Sequence, residues 1–116
     1  MRVSYEGIGQ WAATFACSGV QEGQVVKVSG NGTVSACAAG DRFCGTALAV
    51  GRDGSACTVV LGGMVTAIYS GDTAPAAGWV KLAADGSGGV TVPASGGQSY
   101  LAVDVDSAAK TVTFVL

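Results

Sequence analysis

Two stretches of this chain run parallel 55 residues apart, and no other feature limits its possible folds so strongly. Gly23-Gln-Val-Val-Lys-Val-Ser-Gly-Asn-Gly-Thr-Val matches the run that begins Gly78-Trp-Val-Lys-Leu-Ala-Ala-Asp-Gly. Leu48-Ala-Val50 matches Leu101-Ala-Val103, and Cys57-Thr-Val-Val-Leu61 matches Val112-Thr-Phe-Val-Leu116. Gly23 to Leu61 and Gly78 to Leu116 are both 38 steps. Upstream, Ala13–Gly19 faces Val65–Gly71. The chain therefore divides into an N-terminal segment, 1–8, a first repeat, 9–61, and a second repeat, 63–116. A period of this length marks one structural unit used twice, so the two halves are expected to share a strand order and to superpose about a pseudo-twofold axis.

Each repeat reads as short strands. Val26 and Val28, then Thr33–Cys37, flank Ser29-Gly-Asn-Gly32, and Asn-Gly is a strong hairpin signal because both residues tolerate positive φ. Phe43–Val50 and Ala56–Leu61 flank Gly51-Arg-Asp-Gly54. In the second repeat Trp79–Ala83, Val90–Pro93, Tyr100–Val105 and Lys110–Val115 follow the same plan. Asp85–Gly89 and Asp106–Ala109 are its turns. Only Gly71–Gly78, with Pro75 and three Ala, reads as a linker, and it is too short to separate domains. Strands at this spacing indicate an all-β barrel or sandwich.

Composition agrees. Gly, Ala and Val number 19, 19 and 17, whereas Leu, Glu, Lys and Arg together number only 13, which excludes a helical bundle or coiled coil. With 12% charged residues, a net charge of −2 and no basic run, there is no electrostatic footprint for nucleic acid or an anionic membrane. The uncharged stretches 54–71 and 86–103 are each 18 residues long, but glycine pairs, Ser and Thr break them into strands and turns rather than membrane spans. At the N-terminus Glu6, Gly7, Gly9 and Gln10 stand where a signal peptide needs an apolar run. Thr14–Cys17 is a poor lipoprotein cleavage site. Secretion by a signal peptide is therefore not expected, and a reducing cytoplasm is.

Few residues carry chemistry. The chain has no His, so Ser and Cys nucleophiles lack their usual base, and no enzymatic activity or cofactor is expected. Cys17, Cys37, Cys44 and Cys57 contain no Cys-x-x-Cys pair, so no metal site is expected. Two disulfides would be permitted, but buried free thiols are the simpler expectation in a reducing cytoplasm. Gly30-Asn-Gly32 lacks the third glycine of a dinucleotide fingerprint and reads as a turn. Asn31-Gly-Thr33 is a formal glycosylation acceptor, idle without secretion. Asp104 and Asp106 project to one face of a strand, as a carboxylate pair or as a solvated strand end with Asp106 starting a turn. Trp11, Trp79 and the tyrosines read as core or interface anchors.

The pattern Gly-x-Val-Val-x-Val, then Phe43-Cys-Gly-Thr-Ala-Leu-Ala-Val50, then Cys57-Thr-Val-Val-Leu-Gly-Gly-Met-Val65 resembles the small capsid cement, or head decoration, proteins of tailed bacteriophages. The likeness covers residues 20–116 and rests on glycine spacing and apolar alternation. It implies a small structural β protein, commonly a trimer, that binds an assembled shell of major capsid protein from outside and reinforces it against the pressure of packaged DNA. Two alternatives are a non-enzymatic β-barrel binding module and another virion component such as a tail-tube or fibre-base domain. A lipoyl-like module would need a lysine at a hairpin tip, and Lys27, Lys81 and Lys110 lie in or beside strands. A chain with 49% apolar residues is also expected to bury surface in a homo-oligomer. In the segment 1–8, Val3 and Tyr5 alternate with polar residues. With Arg2 they are candidate contacts to the shell or to a neighbouring subunit by strand addition. The same segment read plainly is the first strand of the chain's own barrel.

Overall fold

A computed structural model describes residues 10–116. Among them there are ten strands and no helix. In the first repeat these are β1 (Trp11–Cys17), β2 (Val25–Gly30), β3 (Thr33–Ala36), β4 (Gly45–Val50) and β5 (Ala56–Gly62). In the second they are β6 (Met64–Ser70), β7 (Gly78–Ala84), β8 (Val90–Thr91), β9 (Gln98–Asp106) and β10 (Thr111–Val115). Each set of five closes on itself, in the orders β1-β3-β2-β4-β5 and β6-β8-β7-β9-β10. The two orders are the same once β1 is matched to β6, as a duplication requires. The fold is all-β, with two similar halves.

The repeat survives in the ladders. In β4 and β5 Val50 opposes Cys57 and Thr46 opposes Val60. In β9 and β10 Val105 opposes Val112 and Leu101 opposes Val115. Every one of these positions is shifted by the 55 residues of the sequence match. The register slips between Ala47 and Ala49 in the first ladder and between Ala102 and Asp104 in the second. The skipped residues, Leu48 and Val103, are again 55 apart, so the β-bulge is duplicated together with the strands.

The differences lie in the connections. The hairpin between β2 and β3 turns at Asn31-Gly32, but only Gly32 has positive φ, at 60°, and the ladder shifts between Val28 and Gly30. Its counterpart between β7 and β8 spans Asp85–Gly89. There β8 holds two residues rather than the expected Val90–Pro93, because a proline cannot donate to a ladder. Gly71–Ala77 links β6 to β7 inside the second barrel. The two barrels themselves are joined through Gly62-Gly63.

Each half has its own buried cluster, and the first repeat also contributes to the cluster of the second. The first barrel buries mainly small side chains, among them Cys17, Val26, Val34, Ala47, Cys57 and Val59. The second buries Tyr69, Leu82, Val90, Val112 and Phe114, together with Val25, Cys37, Phe43 and Val60 from the first repeat. Phe43, expected to open a strand, instead precedes β4 and stacks on Tyr100 at 5.1 Å, with an edge contact to Phe114 at 5.8 Å. Backbone bonds also cross the junction. Gly40 N–H donates to Ala84 O at 2.9 Å, Ala84 N–H to Asp41 O at 3.1 Å, and Val25 N–H to Gly88 O at 2.9 Å. A radius of gyration of 13.4 Å is that of a single compact body, about 13 Å at this length.

Candidate interaction surfaces

Closed barrels leave each strand paired on both sides, so what these halves can offer a partner is side chains. Trp11, Val28, Leu48, Ile68 and Trp79 are large apolar residues left exposed, Trp79 the most at 76%. Exposed aromatics of this size are typical anchors of interfaces.

Register organises some of this surface. Met64 opposes Val115, Val115 opposes Leu101, and Leu101 opposes Trp79. Opposed residues share a face. The alternate residues Val65, Phe114 and Ala102 are buried, so this row faces outward. At the Met64 end the row meets the first barrel, where Gln10 Nε2 donates to Met64 O at 2.8 Å. There the Trp11 indole lies over Gly62 so closely that a Cβ at Gly62 would collide with its Nε1. An uncharged row thus runs across β6, β10 and β9 to Trp79, and Trp11 stands exposed on the adjoining edge of the first barrel. At the far end of the row Arg42 and Trp79 line one shallow hollow with Leu116, and exposed Lys81 follows Trp79 on the same face of β7.

A cleft of about 490 Å³ opens where the repeats meet, between the turn before β2 and the β6 and β7–β8 side of the second barrel. Ile68, 63% exposed, stands on its wall. Its charged lining residues are Glu22 and Asp85. The Asp85 carboxylate accepts the Ser87 and Gly89 N–H groups at 2.7 and 3.0 Å and the Ser70 hydroxyl at 2.8 Å. Lys110, next in sequence to the lining Thr111, is held over the Tyr69 ring at 5.9 Å.

The remaining sequence candidates fall into structural roles. Asp106 Oδ1 accepts the N–H groups of Ala108 and Ala109, both at 3.0 Å, so it starts the turn before β10. Asp104 lies opposite Thr113 on the ladder. All four cysteines are free thiols. Burial pushes the Cys37 and Cys57 thiols up to about 11, and Cys17 beside Cys57 adds to the effect there. Lys27 and Asp41 form an ion pair at 2.6 Å. That pair and the Ala38 N–H hold the Asp41 carboxyl below its ordinary range. Among the described residues no group of three or more His, Cys, Asp or Glu gathers in a metal-binding arrangement. No helix among them is long and apolar enough to cross a membrane. Arg2, Val3 and Tyr5 lie outside the described residues.

Sequence reasoning marked both tryptophans as anchors but did not find the row that ends in Trp79, which depends on ladder register. It missed the cleft, whose walls are distant in sequence. The paired motifs Gly23-Gln-Val-Val and Gly78-Trp-Val-Lys held the available signal, for Trp79 stands where the first repeat has Gln24. No protein-family model matches this chain, and no curated protein matches it in sequence.

Proposed function

We propose that this chain is a structural protein of a tailed-phage virion, made in the bacterial cytoplasm, which binds the outside of the capsid shell and stabilises it as a homo-oligomer, a trimer. The observation that carries this reading is the outward apolar row ending in Trp79, 76% exposed, together with Trp11, 61% exposed. Exposed apolar surface of this kind marks contact sites on small proteins, and here it lies on two closed barrels whose buried residues interlock. The resemblance in glycine spacing over residues 20–116 supplies the identity of the partner, a shell of major capsid protein. Arg2, Val3 and Tyr5 are retained as proposed contacts to the shell or a neighbouring subunit. The test is co-sedimentation with empty expanded shells assembled from a tailed-phage major capsid protein of the same genome. Saturable binding at a fixed ratio to capsid subunits is expected, and recovery of all the protein in the supernatant would overturn the proposal.

A further inference from the structure

We propose that Trp79 of one copy seats in the inter-repeat cleft of a second copy, so that the chain associates with itself head to tail. This rests on the homo-oligomer aspect of the reading above and not on the shell. Trp79 is the most exposed large apolar side chain described, and Lys81 on its own strand and Arg42 in the adjoining hollow surround it with positive charge. The cleft is concave, has Ile68 on its wall, and carries the carboxylates Glu22 and Asp85 with no Lys or Arg among its lining residues. Knob and cleft therefore match in shape class, in apolar character and in sign of charge.

One chain cannot make this contact with itself. Trp79 lies near the start of β7, while Asp85 follows the end of that strand. Six residues of extended chain place them about 20 Å apart. Knob and cleft are different surfaces, so the contact is heterologous, and repeating it closes a ring when the rotation between copies permits. The indole supplies the contact area. Exposed charge pairs add little affinity but select the orientation.

Sedimentation velocity over a concentration series, without shells, tests the proposal. The wild-type protein is expected to associate reversibly. Trp79→Ala is expected to weaken association at least tenfold while leaving the circular dichroism melt unchanged, because the side chain is exposed. Lys81→Glu and Glu22→Lys are each expected to weaken association, and the two together in one chain to restore it. The proposal is overturned by a wild-type monomer at the highest soluble concentration, by undiminished association of Trp79→Ala, or by a double variant no better than the singles. A wild-type protein that stays monomeric yet binds shells would remove this interface and leave the shell reading standing. Self-association without shell binding would do the reverse.

Discussion

At Gly45 the first barrel leaves no room for a side chain, because a Cβ would fall on the Val60 carbonyl oxygen and press on Val59. The glycine allows β4 to approach β5 this closely while Val26 opposes it from β2. Gly45→Ala is therefore expected to cost at least about 3 kcal/mol, the upper end of overpacking penalties, read as a shift in the urea midpoint. The thiols set a second limit at this scale. Cys37 and Cys57 are neutral when folded, with values raised from 9.0 to about 11. Above pH 9 the unfolded chain loses these protons first, so stability is complete below about 9 and falls as pH rises toward about 11. Thermal melts at pH 8 and pH 10.5 are expected to show that fall, and Cys57→Ala is expected to flatten it. Buried free thiols were the simpler expectation from the sequence, and all four cysteines are free, with Cys17, Cys37 and Cys57 buried and Cys44 half-buried. The steric role of Gly45 was not, since nothing in the sequence marks which glycine meets a carbonyl across a barrel.

Among the elements, β4, β5, β9 and β10 are those the repeat specified best, down to the bulge at Leu48 and Val103. The segment before β4 was harder to read. Phe43-Cys44 continues the strand pattern, yet β4 begins only at Gly45: Cys44 N–H still donates to Val26 O, while Phe43 joins Tyr100 and Phe114 in the other half. Phe43→Ala is expected to cost about 3–5 kcal/mol, as for other buried aromatics. Its coupling with Phe114 in a double-mutant cycle is expected to exceed that of either residue with Val34, which packs in the first barrel. Equal couplings would mean that the ring trio does not join the halves. The cleft escaped the sequence for a similar reason: the turn at Gln21–Gln24 and the turn at Asp85–Gly89 meet only after both barrels close.

For the whole molecule, the interlocking of the two buried clusters is expected to make the barrels one cooperative unit. Val25, Cys37, Phe43 and Val60 are buried among residues of the second repeat, so neither barrel can open without exposing some of the other's core. Calorimetry is expected to show a single transition with equal calorimetric and van't Hoff enthalpies. Two separable transitions would show that the junction contributes little. The fold class and the duplication were legible because they depend on local pattern. The surface chemistry depends on what the fold brings together, and for that reason the partner is a proposal to be tested by reconstitution. The most direct measurement is the temperature at which DNA-filled heads lacking this protein release their DNA, recorded with increasing amounts of purified protein. The account predicts that the release temperature rises and then saturates once the shell sites are filled. An unchanged release temperature at every ratio would contradict it.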